Sequence, residues 1–189
     1  MKKSFGAKTL VYPTPVWLVG TYDKNGKPNA ATIAWGGVCS SKPPCVAISL
    51  RETTYTHGNI MERKAFTINI PSSAQVEIAD YCGVASGKNV DKFAAAKITA
   101  IKSEIVDAPF IQEFPMILEC KLSNFIGIGI HTHFIGEILN VKIDESVLGE
   151  DELPDILKIN PVIYVPEIKS YYAAGKYLGK AFSMGKIFS

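Results

Sequence analysis

The sequence predicts a mainly β protein: a small closed β-barrel of short antiparallel strands with two or three α additions. Three observations lead there. Runs of strand length, rich in β-branched and aromatic residues, recur through the first two-thirds of the chain. An Asn25-Gly26 turn joins two of them as a hairpin. The 189 residues are 47% hydrophobic and 20% charged, enough to bury a core without staples. No repeat or long linker divides the chain, so one domain is expected over residues 1–189, with a C-terminal extension from about residue 145.

Val16 to Tyr22 is dense in β-formers and reads as the first strand; Asp23 to Lys27 carries the turn, and Asn29 to Trp35 returns as the second arm. Pro43-Pro44 ends a loop and launches Cys45 to Leu50, short and apolar enough for an interior strand. A helix is expected from Thr56 to Lys64, with a hydroxyl at its start and Arg63-Lys64 at its end, where the helix dipole favours cations. Ala65 to Ile70 alternates Phe66, Ile68 and Ile70 with Thr67 and Asn69, a strand pattern. Ser72 to Gln75 resembles a capping box opening a helix through about Tyr81, ended by Gly83 and the Ser86-Gly87-Lys88-Asn89 cluster. Met116 to Gly129 and His131 to Ile143 are long strands, and Val162 to Val165 and Ser170 to Ala173 are late ones.

Charge excludes one broad class of function. Twenty Lys and Arg against eighteen Asp and Glu leave +2, and the basic residues are scattered, so no nucleic-acid partner is expected. The apolar stretch Leu122 to Leu139 contains Asn124, His131, His133 and Glu137, a poor membrane span, and the start Met1-Lys2-Lys3 is not followed by a signal-peptide core. Cys39, Cys45, Cys82 and Cys120 form no C-x-x-C pair, which fits reduced thiols in a cytoplasmic protein. His131 and His133 share a strand face but lack a third ligand, so no metal is expected. No G-x-G-x-x-G opens a helix after a strand, and no nucleophilic triad is apparent.

Between Lys27 and Phe93 the residues instead suit a phosphorylated, planar cofactor. A phosphate dianion needs hydroxyls, free N–H groups and a fixed cation; Thr32, Arg51, Thr56, Ser86 and Lys92 offer them, with Lys88 ranked below Lys92. A flat ring needs a narrow slot with a few polar edges, which Asn29 and Tyr55 can border, while Trp35 suits packing.

Pro28-Asn29 through Thr32 to Trp35, Pro43-Pro44, Tyr55-Thr56, Phe66 to Ile70, Asp80-Tyr81-Cys82-Gly83, Ser86-Gly87 and Asp91-Lys92-Phe93 follow one another in an order that resembles the flavin reductase-like, FMN-binding split-barrel family, within it the flavoredoxin branch. The resemblance runs from Pro15 to the Gly136 strand. It implies a six-stranded Greek-key split β-barrel, a homodimer, and FMN as the cofactor. It further implies that Asn29, Ala30, Ala31 and Thr32 line the ring and ribityl region, and that Ser49, Leu50, Arg51, Thr56, Ser86 and Lys92 surround the phosphate. His131 stands where members carry Gly-Asp-His; Ile130 replaces the aspartate here, and the implied role is contact with the electron donor or substrate. The flavin, not a protein nucleophile, then carries the chemistry. The implied activity is an FMN-dependent oxidoreductase fed by NAD(P)H or by a redox partner protein. An electron carrier without a small-molecule substrate and a cofactor-free barrel module are the alternatives.

Overall fold

A computed structural model describes residues 1–188. Along the chain lie β1 (Thr14–Pro15), β2 (Trp17–Tyr22), β3 (Pro28–Ile33), β4 (Gly36–Ser41), β5 (Pro44–Arg51), α1 (Tyr55–Arg63) and β6 (Ala65–Ile70). Then come α2 (Val76–Val84), α3 (Lys92–Ala96), β7 (Ala100–Lys102), β8 (Pro109–Ile111), β9 (Met116–Ile128), β10 (His131–Ile143), α4 (Ile156–Ile159), β11 (Val162–Val165) and β12 (Ser170–Ala173).

The main sheet is antiparallel and seven-stranded, in the order β3-β2-β6-β9-β10-β5-β4. Its two edge strands, β3 and β4, are separated in sequence only by Ala34 and Trp35. The chain therefore closes the sheet on itself, and β3 with β4 makes one bent stave of a six-stranded barrel. The corner is tied where the Ser49 N–H donates to the Trp35 carbonyl at 2.8 Å. After β5 the chain does not pair with its neighbour but crosses through α1 and lays β6 beside β2. A fourth strand returning beside the first is the Greek-key order. The expected fold class is borne out.

Period-two alternation sorts the apolar residues into two clusters. Val19, Ile33, Val46, Ile48, Phe66 and Phe134 fill the barrel. Leu18, Ala30 and Ile117 point outward and are covered by Ala79 and Cys82 of α2 and Phe93 of α3. Gly136 sits where a Cβ would come within 2.4 Å of the fully buried Phe66 ring, so β10 passes the ring only because that residue has no side chain.

Local sequence sets the helix ends. The Thr54 hydroxyl accepts the His57 N–H at 3.3 Å, so the α1 cap is Thr54, while Thr56 lies inside the helix and is buried. Lys64 ends α1 in the left-handed region at φ 55°. The Ser72 N–H donates to the Gln75 side chain at 2.8 Å, but the turn from Ser73 to Gln75 is 3-10, and α2 proper runs through Gly83 to Val84. Strand β4 stands where a loop is expected, because Gly36, Gly37, Ser40 and Ser41 dilute any strand signal. The short helix α3, capped by the Asp91 carboxylate accepting from the Ala94 N–H at 3.1 Å, is likewise absent from the sequence reading.

Candidate functional site

Where β3 meets α1, α2 and α3, two adjoining cavities of about 280 and 320 Å³ share Thr32, Gly83 and Val84 as a common wall. Together they form one groove. Its first end is polar, lined by Asn29, the Thr53-Thr54-Tyr55-Thr56 run, Ser86, Gly87 and Lys92. Its second end is bordered by Val16, Ala34, Asp80, Tyr164, Lys169 and Tyr171.

Lys92 is 4% exposed, and its ammonium donates to the Ala30 carbonyl at 2.8 Å and the Cys82 carbonyl at 2.7 Å. Two of its three N–H bonds therefore fasten α3 to β3 and to α2. Burial lowers the Lys92 pKa, with the nearby Cys82 thiol acting the other way. A buried ammonium held by carbonyls rather than by a carboxylate keeps its charge available to an anion.

Asn29 is also buried. Its Nδ2 donates to the Thr56 hydroxyl at 2.9 Å, while Oδ1 has no partner. Whichever way the amide is turned, one of its polar atoms is left for something else to satisfy. Gly87 closes over it: a Cβ there would lie 2.0 Å from Asn29 Oδ1 and 2.9 Å from Tyr55 Cδ1. The Thr32 hydroxyl donates to the Ala79 carbonyl at 2.5 Å, holding α2 against the groove floor.

Tyr55 is fixed from behind. Its hydroxyl donates to Asp23 Oδ2 at 2.8 Å, while Asp23 Oδ1 accepts the Asn25 and Lys27 N–H groups at 2.8 Å each. The Arg63 guanidinium donates to the Asp23 carbonyl. One buried aspartate thus joins the β2–β3 turn, α1 and the groove wall. Burial pushes its carboxyl up, but the Lys27 N–H, the Tyr55 hydroxyl, the Asn25 N–H and Arg63 outweigh that and hold it below the ordinary value.

At the far end the Tyr164 and Tyr171 rings lie 5.6 Å apart at 48°, brought together by direct pairing of the two residues in the β11–β12 ladder. The Tyr171 hydroxyl donates to Asp80 at 2.8 Å, and burial with that carboxylate pushes its pKa up to about 12.

The groove brings together Asn29, Ala31, Thr32, Leu50, Thr56, Ser86 and Lys92. Ala30 faces the outer cluster and contributes its carbonyl to Lys92 instead. Ser49 and Arg51 alternate with Leu50 along β5 and do not line the groove. They pair across the ladder with His133 and His131, and the Ser49 hydroxyl lies 2.8 Å from His133 Nδ1. His131 stands with Arg51, away from the groove lining. Trp35 ties the barrel corner through its carbonyl. The third histidine, His57, sits 2.9 Å from the Thr132 hydroxyl and edge-on to Phe134; burial lowers its pKa against the pull of Glu52. Sequence reading missed Thr54, Asp80, Tyr164 and Tyr171. The tyrosines carried a signal only in pairing: two late strands, each with an aromatic in register.

Residues 9–173 match the family model of the flavin reductase like domain. The chain is 56% identical to flavoredoxin of Desulfovibrio vulgaris (Miyazaki F), covering 98% of this chain and 100% of that one, with a TM-score of 0.94. A flavoredoxin from Methanosarcina acetivorans is 30% identical over the full length of both chains, with a TM-score of 0.93. A protein of Aquifex aeolicus (strain VF5) is 31% identical over 184 residues, 94% of this chain and 89% of its own. The chain belongs to the flavin reductase-like family, and its barrel is that family's split barrel.

Proposed function

We propose that this chain binds FMN in the groove and acts as a flavin-dependent oxidoreductase. The observation that carries this reading is the convergence, at one hydroxyl-lined end, of a buried ammonium held only by carbonyls and a buried amide atom without a partner. Both are costly in an empty site and useful beside a phosphate and a polar chain. When bound, FMN supplies the electron-transfer chemistry.

The residues divide the remaining work. Lys92 offers its third N–H and its charge to the phosphate, with the Thr54, Thr56 and Ser86 hydroxyls beside it. Asn29 meets a hydroxyl or ring N–H, and Gly87 packs close against Asn29 and Tyr55 where a side chain could not fit. Tyr164 and Tyr171, braced by Asp80, wall the other end against water. Ser49, Arg51, His131 and His133 form a separate polar face, suited to an electron donor such as NAD(P)H or to an acidic patch on a redox protein. The exposed Phe125, Ile126, Ile128 and Ile130 at the β9–β10 hairpin support a homodimer. No helix among the described residues is long and apolar enough to cross a membrane, and a cytoplasmic setting fits four cysteines with no C-x-x-C pair among them.

The experiment is direct. Purified protein is expected to be yellow and to release FMN on heating; colourless protein that ignores added FMN overturns the reading. Bleaching by NADH or NADPH alone identifies a reductase. Bleaching only with a reduced partner protein identifies a carrier, a reading favoured by the 56% identity to a flavoredoxin.

A further inference from the structure

The four cysteines are all free, and only Cys39 is exposed. Cys82 lies on the buried face of α2 in the outer cluster, and Cys120 lies inside the barrel, where burial pushes its thiol up to about 12. Cys39 and Cys45 stand apart from these. In the β4–β5 hairpin Val38 pairs with Val46 and Ser40 with Cys45, so Cys39 is the extra residue of a bulge. A bulge sets two residues of one strand against one of the other, here Cys39 and Ser40 against Cys45. Residues so opposed have Cα atoms roughly 4.5–5.5 Å apart, inside the ~4.4–6.8 Å that a disulfide spans. Val46, Ile48 and Leu50 point into the barrel, so Cys45 points out of it, toward the side an exposed thiol can reach. Burial pushes the Cys45 thiol up, with Cys39 and Glu137 adding to the effect, and Cys45 in turn helps raise Cys120 inside the barrel.

We infer that Cys39 and Cys45 are a reversible redox pair, closing a disulfide across the β4–β5 bulge by exchange with a small-molecule disulfide. The exposed Cys39 thiolate attacks one sulfur of oxidised glutathione and expels one glutathione thiolate. The Cys45 thiolate then attacks the Cys39 sulfur of the mixed disulfide and expels the second. Two protein thiols give up two electrons and two protons, and one small disulfide becomes two thiols. With Cys39 exposed, the bridge is open to the reverse exchange, as labile, regulatory disulfides are. Its effect is local. Gly36, Gly37 and Val38 of β4 wall an apolar cavity of about 540 Å³ with Trp17 and Met116, and the bridge pins that wall to β5.

The test incubates the folded full-length chain with oxidised glutathione, then counts thiols after denaturation and weighs the intact protein. The pair predicts that two of the four thiols disappear, with a mass loss of two hydrogens mapped to the peptide holding Cys39 and Cys45. Dithiothreitol restores them. Cys39→Ser abolishes the change; Cys45→Ser, or Cys45→Ala should the first fold poorly, stops at a glutathione adduct on Cys39. A stable glutathione adduct on the unaltered chain, a Cys39-linked dimer, or four unchanged thiols overturns the inference.

Discussion

Replacing Lys92 by methionine keeps the apolar stem and removes only the ammonium, so it isolates what the charge does. Three consequences follow from its position. The Ala30 and Cys82 carbonyls each lose their donor, at about 1–3 kcal/mol per buried group, partly offset because a buried charge is no longer desolvated. The phosphate loses one charge-assisted bond, worth about 1.5–3 kcal/mol, or roughly a 10- to 150-fold rise in the Kd for FMN. Riboflavin has the same ring and ribityl chain but no phosphate, so its Kd should barely move. Titrating the flavin-free protein with each ligand, read by quenching of flavin fluorescence, separates the two effects. Burial also lowers the Lys92 pKa, so FMN affinity should fall, as pH rises, earlier than an ordinary lysine would dictate, while riboflavin affinity stays level. Equal losses for both flavins would mean that Lys92 only props the groove open, and the phosphate assignment would be refuted.

Other substitutions test other parts of the same construction. Gly87→Ala drives a methyl group into Asn29 and Tyr55, so both flavins should bind at least tenfold more weakly; unaltered affinity would detach Gly87 from the site. Gly136→Ala overpacks the barrel against Phe66, with an expected loss of about 1–3 kcal/mol in urea unfolding and no selective effect on the phosphate. The Asp23 carboxyl is held below its ordinary value of 3.8. Its contribution to stability is therefore complete above that pH and lost as the pH falls through the lower, folded value. Asp23→Asn should flatten the acid limb of thermal stability against pH, and an unchanged limb would count against the network.

What the sequence disclosed divides along a physical line. Elements set by near neighbours were legible: the Asn25-Gly26 hairpin, the alternation of Phe66, Ile68 and Ile70, and the cation at the end of α1. Strand β4 was not, because glycine and serine carry no strand signal and its place is decided by barrel closure around Trp35. The role of Lys92 as a fastener was hidden for the same kind of reason. Its partners come from β3 and α2, and only packing brings them to it. Tyr164 and Tyr171 reach the groove from strands at the far end of the chain.

The β5 residues teach the sharpest lesson. Ser49, Leu50 and Arg51 entered the expected site as a block, yet consecutive strand residues face opposite ways. Leu50 turns into the barrel and also borders the groove, while Ser49 and Arg51 face away from the barrel interior, beside His133 and His131. That alternation gives the function two sides. In the proposed reading, Leu50 borders the cofactor groove, while an arginine and two histidines gather on the other face of the strand, where a donor could be recognised. A donor recognised on that second face need not displace any residue that holds the phosphate, so cofactor retention and donor choice can vary independently on one barrel.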